Sequence, residues 1–172
     1  MRLPYVDSST LTDPSSAEIV KRVEARRAPR PLQALDLTLL HSPNVADGWN
    51  SFLGAIRTKT SLPDDIREAA ICRVAVVNKA WYEWSHHAPL AAKGGVSEEG
   101  LEILKKDVLG DAEEAEGKKA LGERVWWVVR YTDEMTRNVR VGDGVFDGLR
   151  TVFSDQEVVE ITATVSLLYT CA

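Results

Sequence analysis

From Ala69 to Val77 the chain reads Ala-Ala-Ile-Cys-Arg-Val-Ala-Val-Val, a stretch in which Arg73 is the one charged residue. Ser61-Leu62-Pro63 precedes it by a few residues and Asn78-Lys79 follows it. Asp64, Asp65 and Glu68 fall in or near the first turn of the helix this spacing predicts, where negative charge suits the helix dipole. A helix that is apolar on nearly every side has to be covered on nearly every side. It is also far short of the ~20 apolar residues that span a bilayer. The rest of the chain must therefore enclose a helix running over about 63–79. At 172 residues, of which 44% are hydrophobic, it has the length to do so within one domain.

The covering segments also read as helices. Asp13-Pro14 predicts an N-cap with proline at the first helical position, opening a helix over about 15–28 that buries Ile19, Val20 and Val23. Ala28-Pro29-Arg30-Pro31 closes it. Leu32, Leu35, Leu39 and Leu40 have helical spacing. After Ser42-Pro43, the residues Val45, Trp49, Phe52, Leu53 and Ile56 form an apolar stripe. A helix over about 81–93 ends at Gly94-Gly95, a natural C-cap, and Pro89 inside it predicts a kink. Ser97 caps the next. An acidic linker from Gly110 to Gly117 leads to a long helix over 118–138. A turn at 142–144 and a short helix to Phe153 follow, and Ser154 to Glu157 is a capping box opening the last helix. The expectation is an all-α protein with eight or nine helices, residues 1–12 forming an arm and 13–172 a single domain.

Several function classes drop out on composition. Net charge is −5 and no basic patch is present, which argues against nucleic acid. The N-terminal residues lack the apolar core of a secretory signal, so a cytoplasmic location is the default expectation, with no membrane partner. The two cysteines, Cys72 and Cys171, form no metal or redox motif. His86 and His87 are consecutive and lack a third ligand, so no metal site is expected.

The chemistry gathers just after the central helix. Glu83 precedes His87 by four residues, so on a helix the two share a face, and a carboxylate there fixes the imidazole tautomer. Such a pair is, without further support, more often a solvated surface pair. Glu68 lies ten residues before Asn78 and His87 nine after it. At ~1.5 Å per residue the two arms of a helical hairpin are then about equal, and Glu68 is expected to meet His87. Arg73 has two readings: a clamp for a substrate carboxylate, or an internal salt bridge with a partner such as Glu83. Trp81, Tyr82 and Trp84 either wall a pocket for a planar ligand or serve packing. His86 is placed at the edge of the site, with an interface or surface role as its alternative. Of Trp126 and Trp127, adjacent and so pointing apart, one is expected to face a partner subunit.

Glu68, Glu83 and His87, with Trp-Tyr-Glu-Trp-x-x-His-x-x-x-Ala-x-x-x-Gly-Val-Ser from Trp81 on, resemble the carboxymuconolactone decarboxylase-like family of the alkylhydroperoxidase D-like superfamily. The clear likeness covers about residues 63–100. It implies the alkylhydroperoxidase D-like helical fold and a homo-oligomer, a trimer or hexamer. It also implies cofactor-free acid-base chemistry on a small cyclic acid or enolisable substrate, with Glu68, Glu83 and His87 as the acid-base set. Peroxidase members carry Cys-x-x-Cys at the positions of Ala80 and Glu83. Both sulfurs are absent here, and Cys72 reads as a core residue, so thiol peroxidase activity is not expected. The competing readings are an antioxidant peroxidase and a helical binding or assembly protein without turnover.

Overall fold

The computed structural model describes residues 3–171, with side chains to Leu168. Among these residues nine α-helices form and no strand does. They are α1 (Pro14–Arg27), α2 (Ala34–Leu39), α3 (Pro43–Thr58), α4 (Asp64–Val77), α5 (Trp81–Gly94), α6 (Glu98–Lys105), α7 (Glu114–Asn138), α8 (Asp143–Arg150) and α9 (Asp155–Cys171). The chain packs as two compact units, Met1–Thr60 and Ser61–Ala172.

In the first unit the Asp13 carboxylate accepts from the Ser16 backbone N–H at 2.9 Å and Pro14 occupies the first turn of α1. The helix buries Ile19, Val20 and Val23. Val20 joins Leu40 and Ala46 in a small core, against which Val6, Leu11, Leu32 and Leu39 pack, so part of the expected arm is engaged. Arg27 and Asp36 are both buried and joined by two hydrogen bonds of 2.7 and 3.1 Å. The stripe expected on α3 is turned: Ala46, Leu53 and Ile56 are buried, whereas Val45 and Phe52 are exposed. Small Ala46 lets α3 lie close to the Val20 and Leu40 side chains, and this sets its rotation.

In the second unit α4 is the enclosed helix. Ten of its fourteen residues are buried, from Ile66 to Val76 with Arg67 omitted. It packs against α5, α6, α7 and α9. The α4–α5 hairpin is short. Asn78 ends α4, Lys79 adopts a left-handed conformation with φ 56°, and the Ala80 N–H bonds to the Ala75 carbonyl at 2.8 Å. Helix α5 then runs through Pro89 as one element. Gly95, with φ 118°, closes it in a left-handed cap whose N–H reaches the Ala91 and Ala92 carbonyls. A side chain at Gly94 would stand 2.8 Å from the Asp65 backbone nitrogen. The end of α5 therefore lies directly against the start of α4, and this close approach sets the register of the hairpin.

Helix α7 departs from expectation. It begins at Glu114, after a 3-10 turn over Asp111–Glu113, so the predicted linker is largely structured. It also breaks at Gly122 (φ 76°, ψ 164°), which turns the first segment back on the second. A Cβ at Gly117 would fall 2.1 Å from the Trp126 ring, so only glycine admits that fold-back. Trp126 is consequently inaccessible. Trp127 packs on Gly148, with the Lys118 ammonium 4.7 Å from its ring centroid. Trp126 is therefore not available to a partner subunit, and Trp127 is half-buried. At Ser154 the capping box forms in both directions: the Ser154 N–H donates to Glu157 Oε2 at 2.8 Å, and the Glu157 N–H donates to Ser154 Oγ at 3.3 Å.

Candidate active site

Glu68 lies on the second turn of α4, and Glu83 and His87 lie on consecutive turns of α5. The hairpin brings them together. His87 Nδ1 is 2.6 Å from Glu68 Oε2, and the two side chains are 6% and 7% exposed. A carboxylate accepts, so Nδ1 carries the proton and Nε2 is the exchanging nitrogen. Nε2 faces Glu83 Oε2 at 3.6 Å, inside ion-pair range but beyond a hydrogen bond. Glu83 is the most accessible of the three, at 22%. The geometry is one imidazole between two carboxylates, the inner one fixing it and the outer one open to approach.

The other expected residues fall differently. Arg73 is fully buried and offers nothing to a substrate. Its Nε and one terminal nitrogen bond to Asp133 Oδ1, and the terminal nitrogens also donate to the carbonyls of Leu104, Lys106 and Asp107. All five N–H groups of the guanidinium are used. The substrate-clamp reading is therefore corrected: Arg73 ties α4 to the end of α6 and to α7, and its partner is Asp133, not Glu83. Burial lowers its pKa from the ordinary value, and the Asp133 charge acts against that.

The aromatic wall is also corrected in part. Trp81 and Tyr82 are 57% and 66% exposed at the start of α5. His86 is exposed too, stacked on Tyr82 at 4.3 Å, with Nδ1 donating to the Tyr82 carbonyl at 2.8 Å. These three occupy the outer side of α5, because the inner side is taken by His87, Ala88 and Ala91 against α4. Trp84 is half-buried, with the Lys105 ammonium 5.7 Å from its ring.

Cys72 is inaccessible, and burial, aided by the nearby Glu68 charge, pushes its thiol up to about 12. A thiol so held is neutral at ordinary pH and a poor nucleophile. Among the described residues no group of three or more His, Cys, Asp or Glu is placed to hold a metal, and no helix is long and apolar enough to cross a membrane. A cleft of about 410 Å³ between α6 and the start of α7 is lined by Ser97, Glu99, Ile103, Glu116, Lys119 and Ala120, away from the acid-base residues.

Sequence reasoning missed Arg67. Its Nε donates to Glu68 Oε1 at 3.3 Å, and a terminal nitrogen donates to Asp64 Oδ1 at 2.5 Å. Adjacent helical residues do not normally face each other, so spacing gave no signal for this contact. The length of the arginine side chain makes it.

The model of the carboxymuconolactone decarboxylase family matches residues 43–115, a span that holds α3 to α6 and the whole Glu68–His87–Glu83 site. This stretch is a carboxymuconolactone decarboxylase family segment. No curated protein matches the chain in sequence. A crystal structure of the debrominase Bmp8 in complex with 2,3,4-tribromopyrrole shares its fold, with a TM-score of 0.71, covering 99% of this chain and 86% of the debrominase. At 15% identity the likeness is one of fold, and the all-α architecture agrees with an alkylhydroperoxidase D-like fold. Family and fold together agree with an enzyme without naming its reaction.

Proposed function

We propose that this chain is a carboxymuconolactone decarboxylase-like enzyme that moves a proton at a carbon next to a carbonyl. Its substrate is a small cyclic acid or another enolisable ring compound. The observation that supports this most is the nearly buried imidazole of His87, held at Nδ1 by Glu68 with Nε2 directed at Glu83. In the proposed reaction the Glu83 carboxylate takes a proton from the activated carbon, leaving an enolate. The proton passes from Glu83 to His87 Nε2, which it faces, and His87 returns it at the carbon where the electron pair comes to rest. Double-bond migration and eliminative lactone opening use both steps; in loss of carbon dioxide the C–C bond breaks to give the enolate and only the protonation step is used. Glu68, accepting from Nδ1, stabilises the imidazolium.

Peroxide reduction is not favoured. Glu83 stands where peroxidases of the superfamily carry a sulfur, and Cys72 is held as a neutral thiol. The pyrrole complex of the debrominase, a protein of like fold, favours a small planar ring as ligand. We further propose a cytoplasmic homo-oligomer, a trimer or hexamer.

Deuterium uptake at the α-carbon tests the proposal without requiring the native substrate. A panel of cyclic enones and lactones is incubated in D2O with the protein and followed by NMR. Exchange should fall about 100-fold or more in His87→Ala and in Glu83→Gln, with helical circular dichroism unchanged. Equal exchange by both variants on every compound the native chain accepts would leave a helical binding or assembly protein as the better reading.

A further inference from the structure

Glu68 has two carboxylate oxygens, and His87 uses only Oε2. The other, Oε1, accepts from Arg67 Nε at 3.3 Å, and Arg67 is itself held by Asp64 at 2.5 Å. Exposure falls along this line, from 69% at the Asp64 side chain to 15% at Arg67 and 7% at Glu68. From solvent inward the line of contacts runs Asp64, Arg67, Glu68, His87, and then Glu83 beyond.

We propose that Arg67, which touches no reacting atom, is the positioning residue of the site. By occupying Oε1 it pins the Glu68 carboxylate on His87 Nδ1 and so reserves Nε2 for exchange with Glu83. The inference rests on His87 being the acid-base group, but its physical content does not. A nearly buried carboxylate with one unpaired oxygen is costly, and an imidazole is a poor sole partner because it loses its charge as it titrates. A guanidinium keeps its charge at any ordinary pH, and its Nε–H is directional. Without it, Glu68 is free to turn toward solvent, Nδ1 loses its acceptor and the ring is no longer held to one tautomer. The remaining groups around the ring do not replace this contact. Glu83 of α5 faces the other nitrogen, the Cys72 thiol of α4 stays neutral, and Lys105 of α6 lies over Trp84.

The test is NMR of the full chain labelled with 15N at histidine and arginine, with the His87 signals identified by His87→Ala. In the native protein His87 Nδ1 should carry a proton that is slow to exchange with water, with Nε2 the exchanging nitrogen. Arg67→Gln should mix the tautomers and speed exchange of the proton about tenfold or more. Glu68→Gln should do the same, and adding Arg67→Gln to it should change nothing further. Arg67→Lys should retain most of the native signature. A native His87 spectrum in Arg67→Gln, or additive effects in the double variant, would overturn the proposal. Should Arg67→Gln lose its helical signal, the Arg67 Nε–H resonance decides from the other side: it must move in Glu68→Gln, and an unmoved resonance rejects the contact. Given turnover, Arg67→Gln should lower kcat about tenfold with KM little changed. Turnover insensitive to His87→Ala would defeat the functional reading alone, because the spectra judge Arg67 independently.

Discussion

Glu68 and Arg73 stand five residues apart on one helix, both buried, and do different things. Glu68 gives one oxygen to the site histidine, whereas Arg73 spends every donor inside the protein. Removing one member of a buried ion pair leaves the other uncompensated, at a cost of about 3–5 kcal/mol. Asp133→Asn should therefore lower stability in urea by roughly that amount, with Glu83 and His87 unmoved in their NMR signals. A loss under about 1 kcal/mol would mean that the carbonyls of Leu104, Lys106 and Asp107 satisfy the guanidinium by themselves. Cys72 gives a second expectation. With Cys171→Ser in the background, iodoacetamide at pH 8 should leave the folded chain unlabelled and modify Cys72 only in denaturant, since the folded thiol ionises only near 12. Much of this residue-level detail could be read in the sequence, because Glu68, Glu83 and His87 are tied by the equal arms of one short hairpin. The partner of Arg73 could not be read. Asp133 lies 60 residues away, and its choice over Glu83 depends on how α7 docks against α4.

At the scale of single elements, the helices legible in the sequence are those that carry their own punctuation. Asp13-Pro14, Ser97, Gly94-Gly95 and the Ser154 box mark ends by local hydrogen bonding, and the structure uses each. Pro89 lies inside α5, as its position predicted. The errors came where packing overrides local signals. Gly122 read as an ordinary helix interior, yet it carries the fold-back that seats Trp126 on Gly117. Gly117→Ala should accordingly destabilise the chain by about 1–3 kcal/mol through overpacking. Gly122→Ala adds strain at positive φ, so both variants should melt below the native chain. Val139 is the opposite case. This β-branched residue sits in the left-handed region at φ 55°, is 83% exposed, and ends α7. Val139→Gly relieves that conformation at a typical cap position and should raise stability by up to about 1 kcal/mol in a urea titration. A lowered midpoint would mean that the Val139 side chain makes a contact worth more than its strain.

For the whole molecule the open question is what meets the outer side of α5. Tyr82 and Leu90 are 66% and 46% exposed and eight residues apart, hence on nearly the same side of that helix, with His86 between them. Trp81, at 57%, flanks them. Large apolar side chains grouped on one helix usually mark a partner surface. Of the α7 tryptophans expected from sequence to serve this role, Trp126 is covered within the chain and Trp127 is half-buried, and α5 offers a second exposed group. Light scattering at micromolar concentration should give a mass that is a multiple of 19.0 kDa, three or six chains by family resemblance. Leu90→Glu combined with Tyr82→Glu should shift that mass toward a single chain with helical circular dichroism retained. Tyr82 lies on the side of α5 away from the His87–Glu68 contact, whereas Leu90 follows His87 by three residues and shares its face, so the His87 spectrum is read in Tyr82→Glu alone, where it should survive dissociation. If it collapses on dissociation, the acid-base site is completed only in the assembly. A native chain that scatters as one 19.0 kDa particle would instead leave the exposed aromatics of α5 to a ligand or another partner.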